Sequence, residues 1–192
     1  MLWQTILAVV LGAVLTLLSP GVAFQVQDTA GKFHTPAEWK GKTAILFFFV
    51  ASDCPVSNSY VPEMNRIAQQ YTARGVLTVA VLPEPEMSVE AAKTYAREYH
   101  FAFPVLLDRS QDLVRLAGAT VTPEAAILSP TGNVLYRGRI DNRLADFGSQ
   151  RRSATEHDTR AALEAVVAGH LPAVQFTRSI GCAITMLKRN QR

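Results

Sequence analysis

The chain has 192 residues, 48% of them hydrophobic and 18% charged, with a formal net charge of +3. That length is enough for one domain with a real core. Lys and Arg are dispersed and form no basic stripe interleaved with aromatics, which argues against nucleic acid as a partner.

Residues 2–18 are mostly apolar, with an uninterrupted apolar stretch over 6–15. Ser19-Pro20-Gly21-Val22-Ala23 then supplies a breaker, with small Gly21 and Ala23 placed for cleavage after Ala23. Residues 1–23 therefore read as a signal peptide or, at the lower length limit for a bilayer span, as a membrane anchor. A buried N-terminal helix is the remaining option. Either of the first two readings puts the rest of the chain outside the cytoplasm, periplasmic or extracellular, where disulfides persist. Membrane contact is expected only through this segment.

Residues 24–27 and 32–34 flank the turn-like Asp28-Thr29-Ala30-Gly31, which predicts a small hairpin. Residues 43–50 form a continuous apolar run rich in Phe, as expected of a central strand covered on both faces. Ser52-Asp53-Cys54-Pro55-Val56-Ser57 follows, and a helix is predicted to start there. Pro55 suits its first position, where a missing N–H costs nothing. Val56, Tyr60, Met64, Ile67 and Tyr71 make one apolar stripe, Pro62 is expected to kink the helix, and Gly75 closes it.

Residues 76–82 predict a second strand. Ser88 is a candidate cap for a helix carrying Val89, Ala92, Tyr95, Ala96 and Tyr99 on one face. A short strand is predicted over 103–107, and Ser110 is expected to cap a helix over 111–117. Residues 125–128 and 134–139 flank Ser129-Pro130-Thr131-Gly132-Asn133, a hairpin signal. A polar loop over 141–154 leads to a last helix ending near 168, with Gly169 as its stop. Residues 171–192 read as a tail carrying Cys182 and a short, solvated basic end. The order predicts an α/β fold with a mixed central sheet and helices on both faces.

Cys54 is the leading functional candidate. It stands at the turn from a buried strand into a helix N-terminus, where free N–H groups and the positive end of the helix dipole favour the reactive thiolate. Ser57 and Asn58 are possible hydrogen-bond donors to it, whereas Asp53 disfavours the negative sulfur. The alternative is an inert buried cysteine. Cys182 is the other cysteine of the chain. It could pair with Cys54, pair with a second subunit, or be a structural or unpaired tail cysteine. The four histidines, His34, His100, His157 and His170, show no metal spacing to either cysteine or to each other, and no metal or cofactor is expected. Trp39 and Phe47-Phe48-Phe49 read as core. Arg137 and Arg139 read as solvated, although they could favour an anionic thiol.

The residues around Cys54 resemble the thioredoxin superfamily. The strand over 44–50 leading to Cys54 looks like the strand that feeds the thioredoxin active site. Pro62 matches that family's helix proline, and Val121-Thr122-Pro123 before Glu124-Ala125-Ala126-Ile127-Leu128 looks like its cis-proline and following strand. Within the superfamily, Gly41-Lys42, Asp53-Cys54-Pro55 and Tyr136-Arg137-Gly138-Arg139-Ile140-Asp141 are most similar to the redoxin branch, the alkyl hydroperoxide reductase / thiol-specific antioxidant group. The resemblance covers 24–170 and implies a peroxiredoxin-like domain of thioredoxin fold. It also implies that Pro123 is cis and lies beside Cys54, and that the backbone of Thr122 pairs with a bound partner.

This sequence departs from both active sites. Ala51 and Phe47 stand where peroxiredoxins carry Thr/Ser and Pro, and Pro123 falls near their peroxide-binding arginine. Ser57 stands where thioredoxins carry a second cysteine, and Phe48 where they bury an acid. A copper-chaperone relative would want a cysteine where Asn58 stands.

The expected function is thiol-based oxidation and reduction, with Cys54 as nucleophile and Cys182 as a candidate resolving cysteine. Pro55, Ser57, Thr122 and Pro123 shape the partner site. Partners would be a thiol or disulfide protein, or a peroxide, with the peroxide branch weakened by the missing motif. The second hypothesis is a redox-inert binding module on a thioredoxin scaffold.

Overall fold

The computed structural model describes residues 22–188. The predicted export segment lies almost wholly outside the described residues. A hairpin, β1 (Val26–Asp28) and β2 (Phe33–His34), is followed by a 3-10 turn at Pro36–Trp39. Then come β3 (Ala44–Phe49), α1 (Pro55–Thr72), β4 (Val76–Leu82), α2 (Val89–Glu98), β5 (Val105–Leu107) and α3 (Asp112–Ala117). The second half holds β6 (Val121–Thr122), β7 (Glu124–Leu128), β8 (Val134–Gly138), the short ribbon β9 (Leu144–Asp146) and β10 (Ser149–Gln150), α4 (Asp158–Val167) and β11 (Cys182–Ala183).

Seven strands form one sheet in the order β2-β1-β5-β4-β3-β7-β8. The pairs β3–β4 and β4–β5 are parallel, and the flanking pairs are antiparallel. The sheet is mixed, as expected. Side chains of a strand alternate between faces, so the continuous apolar run of β3 supplies two cores. Ala44, Leu46, Phe48 and Val50 pack with α1, α2 and α4. Ile45, Phe47 and Phe49 pack with Trp39 and with Leu113, Val114 and Ala117 of α3. Each large side chain buried this way stabilises the fold by roughly 1.5–3 kcal/mol. This central strand fixes the height at which the chain emerges towards Cys54.

The local signals hold in most places. Ser88 caps α2, its hydroxyl accepting from Ala91 N–H at 3.1 Å. Gly169, just past α4, has φ +80°, the left-handed conformation that ends helices. Helix α1 runs on through Pro62 as one element. Three expectations are corrected. Asp108, rather than Ser110, caps α3: its carboxylate accepts from Asp112 N–H at 2.8 Å and Val114 N–H at 3.0 Å, while Ser110 donates to Asp112. The loop over 141–154 contains the β9–β10 ribbon. The segment after α4 is no free tail, because β11 pairs antiparallel with β6.

Candidate functional site

The site forms where β3 ends. Val50 N–H donates to Val81 O at 3.0 Å, so the chain stays in the sheet until the last residue before the turn. Ala51-Ser52-Asp53 then swings into α1. Ser52 donates through its N–H to Glu84 at 2.7 Å and through its hydroxyl to the same carboxylate at 3.0 and 3.2 Å. Asn58 Nδ2 donates to Ser52 O at 3.1 Å, and Tyr95 donates to Asn58 Oδ1 at 2.9 Å. Ala51 N–H donates to the Ser57 hydroxyl at 3.3 Å. The turn is thus tied to α1, α2 and the β4–α2 connection.

Ser57 and Asn58 hold the turn together, and neither hydrogen-bonds to the sulfur of Cys54. Ser57 is fully buried. Pro55 occupies the first turn of α1, exposed, as its sequence position predicts.

Cys54 is the N-cap of α1 and has no solvent exposure. It is disulfide-bonded to Cys182, with Cα atoms 6.2 Å apart and a sequence separation of 128. That spacing lies within the normal range for a disulfide. Of the alternatives left open for Cys182, the structure realises the intramolecular pair. The Thr122–Pro123 bond is cis, and the carbonyl oxygen of Thr122 lies 3.3 Å from Cys54 Sγ. Cys182 pairs with Thr122 and Ala183 with Val121 in the β11–β6 ladder, and Ile184 N–H donates to Thr120 O at 2.9 Å. Thr122 is buried, and its own hydroxyl has no hydrogen-bond partner. Cys54, Cys182, Thr122 and Pro123 therefore meet in one place. A cavity of about 580 Å³ opens beside them, lined by Asp53, Glu84, Met87, Thr122, Cys182 and Ile184 among others. Cys182 lines it and Cys54 does not.

Three residues at this site gave no signal in the sequence. Gln111 is fully buried, with a left-handed backbone (φ 57°, ψ 33°) that is uncommon outside glycine. Its amide donates to Pro83 O at 3.0 Å and Thr185 O at 2.9 Å, and accepts from Leu187 N–H at 2.7 Å. Gly181 is buried against the backbone of Thr122 and Pro123. Glu124 follows the cis-proline and is 2% exposed. It accepts from Thr120 N–H at 2.8 Å and Ser179 Oγ at 3.4 Å, with Arg137 Nε at 3.9 Å. Arg137 also donates to Gly118 O and stacks on Phe176 at 5.1 Å, and Arg139 is paired with Asp158 and Glu156. Neither arginine is simply solvated, as the sequence had suggested.

Burial pushes the Glu124 carboxyl above its ordinary value, more than its hydrogen bonds and Arg137 pull it down. The folded chain then keeps that proton to higher pH than the unfolded chain does. The Glu124 contribution is intact below the ordinary value of 4.5 and is lost as pH rises through the raised one. Glu124→Gln is expected to flatten this fall. Melting temperatures of both proteins across mildly acid to neutral pH check it, and parallel curves would refute it. Asp108, also raised by burial, keeps part of the slope in both.

Residues 19–137 match the model of the AhpC/TSA family. The chain belongs to that family. It is 28% identical over 112 residues to the thiol-disulfide oxidoreductase ResA of Bacillus thuringiensis subsp. konkukian, across 58% of this chain and 63% of that protein. The chain thus spans less than two thirds of the length of the curated relatives it matches. An uncharacterised conserved protein of Geobacillus kaustophilus superposes with a TM-score of 0.74 at 27% identity, covering 88% of this chain and 92% of that one. The MTB dsbF structure superposes with a TM-score of 0.54 at 21% identity, covering 77% and 95%. That last likeness concerns the fold, which is thioredoxin-like. The redoxin resemblance read from Gly41-Lys42, Asp53-Cys54-Pro55 and the β8 region agrees with the family match. Among the described residues, no helix is long and apolar enough to cross a membrane, and no cluster of His, Cys, Asp or Glu is placed to hold a metal.

Proposed function

We propose that this protein is a thiol–disulfide oxidoreductase acting on protein thiols or disulfides through the Cys54–Cys182 pair. One observation carries the reading: Cys182 is bonded to the helix-capping Cys54 while paired antiparallel with Thr122, beside a cis-proline. The similarity to ResA supports it.

In the dithiol form, Cys54 is the nucleophile. Its thiolate sits at the N-terminus of α1, where unpaired N–H groups and the helix dipole favour negative charge. It attacks one sulfur of a partner disulfide. The partner's S–S bond breaks, its other sulfur leaves as a thiolate and takes up a proton, and Cys54 is left in a mixed disulfide. The Cys182 thiolate then attacks Cys54 Sγ, which releases the partner as a dithiol and restores the Cys54–Cys182 bond. A dithiol partner reduces the pair by a different first contact. Its thiolate attacks Cys182, the sulfur that borders the cavity, and Cys54 leaves as a thiolate and takes up a proton. The partner's second thiol then displaces Cys182 and closes the partner's own disulfide. Thr122 and Pro123 shape the surface against which the partner lies.

Export is part of this proposal. It rests on the apolar run over 2–18 and on a disulfide that cytosolic reductants would open. Peroxide reduction is the weaker branch, since Ala51 and Phe47 leave nothing to polarise a peroxide.

The test uses the full chain, reduced and freed of reductant, mixed with oxidised insulin or with hydrogen peroxide. Alkylation and mass measurement then count its thiols. One Cys54–Cys182 disulfide should form for each insulin disulfide reduced. Oxidation by peroxide alone would make it a peroxidase. Two unreactive thiols would leave a redox-inert binding module.

A further inference from the structure

The segment after Ser179 lies in the site the way a bound peptide would. We infer that residues 181–187 are a resident ligand of a peptide groove. Once the Cys54–Cys182 bond is reduced, that groove receives an extended partner segment whose cysteine follows a glycine and whose backbone is gripped by Gln111. This rests on the thiol–disulfide reading and specifies its substrate.

Three contacts define the groove. The first is the antiparallel ladder of β11 on β6, extended by Ile184 N–H to Thr120 O at 2.9 Å. Such pairing recognises any extended backbone without reading its side chains. The second is the Gln111 amide, which takes the carbonyl of Thr185 at 2.9 Å and the N–H of Leu187 at 2.7 Å. A carbonyl and an N–H two residues apart lie on the same edge of an extended chain, so one amide stands in for a neighbouring strand. Its bond to Pro83 O at 3.0 Å aims it. Gln111 is fully buried in a left-handed backbone conformation, the kind of local cost a fold retains where a site needs it. The third contact is a steric one. A Cβ on Gly181 would overlap the Thr122 carbonyl oxygen, with Thr122 C at 2.7 Å and Pro123 N at 3.1 Å. Because those atoms are backbone, the groove rejects a side chain immediately before the cysteine.

The occupant is held mainly by its main chain. Gly181 is buried and Ile184 reaches the α3 core, but Ala183, Thr185, Met186 and Leu187 are exposed. A backbone hydrogen bond stabilises by about as much as ordering one residue costs, so without the disulfide the segment is bound weakly. The groove opens by attack of a dithiol reductant on Cys182, the sulfur that borders the cavity. The S–S bond breaks and Cys54 leaves as a thiolate. The reductant's second thiol then displaces Cys182 and closes the reductant's own disulfide.

The test uses the full-length Cys182→Ser chain and synthetic peptides of the 178–188 sequence, with the cysteine activated as a thiopyridyl disulfide. Cysteamine activated in the same way is the small comparator. Attack by Cys54 releases thiopyridone, which is followed by absorbance. The peptide should react at least about tenfold faster than the comparator, and Gly181→Ala in the peptide should remove that advantage. The second change leaves the protein intact. In the protein, Gln111→Glu should lower the peptide-to-comparator ratio about tenfold. In the wild-type chain, the amides of Ile184 and Leu187 should lose hydrogen-exchange protection on reduction. Equal rates for the glycine and alanine peptides, or protection that survives reduction, would overturn the groove while leaving thiol–disulfide exchange standing. A Cys54 inert to both reagents would sink the underlying reading as well.

Discussion

Cys54→Ser is expected to abolish exchange with protein disulfides, a fall of at least about 10⁴-fold. A serine hydroxyl is not ionised near neutral pH and forms no disulfide, so nothing else at the α1 N-terminus can accept the partner's sulfur. Cys182→Ser behaves differently. It retains the first attack but removes the group that resolves it, so a mixed disulfide on Cys54 accumulates and turnover stops. Mass spectra of the two variants after mixing with a disulfide substrate separate the roles. A mixed disulfide accumulating on Cys182 in the Cys54→Ser chain, with none forming on Cys54 in the Cys182→Ser chain, would reverse the assignment. In the oxidised state the order of access is the opposite: Cys54 is buried and Cys182 borders the cavity, so a reductant meets Cys182 first.

Opening the disulfide is expected to lower the stability of the fold by about 3–5 kcal/mol. The bond closes a loop with a sequence separation of 128, which takes in α1 through α4, and a cross-link over so long a loop removes much of the freedom of the unfolded chain. Urea unfolding of the oxidised wild type against Cys182→Ser measures it. A difference under about 1 kcal/mol would mean that the unfolded chain gains little from release. The loss falls unevenly. The sheet and its two cores rest on buried side chains such as Phe47, Phe48 and Met64 and persist. The segment over 181–187 does not, because, beyond the partly buried Ile184, its ties are its hydrogen bonds to β6, Thr120 and Gln111. Each contributes about 0.5–1.5 kcal/mol, against about 1–2 kcal/mol to fix each residue. Reduction therefore acts on stability and on access to the site at once.

The departures from the two parent active sites take on meaning in this arrangement. Phe48 replaces the buried acid of thioredoxins, yet a buried carboxylate exists on the adjacent strand. Glu124 stands opposite Phe49 in the β3–β7 register and is tied to the tail through Ser179. Ser57 replaces the second cysteine of the thioredoxin motif, and Cys182 supplies the second sulfur from the far end of the chain.

The sequence by itself determined the order of strands and helices, the mixed sheet, the central place of 44–50 and the position of Cys54 at a helix start. These follow from short-range signals: an apolar run that fills two faces, a stripe at helical spacing, Pro55 inside a first turn, and Ser88 at a cap. The thioredoxin-superfamily resemblance added the cis-proline. Tertiary structure alone decided which sulfur Cys182 meets, that Thr122 is its strand partner, and that Asp108 rather than Ser110 caps α3. It also decided that the Gln111 amide holds Thr185 and Leu187 and that burial raises the Glu124 carboxyl above its ordinary value. Those outcomes depend on contacts between residues far apart in the chain, or on a left-handed backbone at a residue that rarely adopts one. Neither leaves a periodic trace in the sequence, because what fixes them is the shape of the surface onto which the last residues fold.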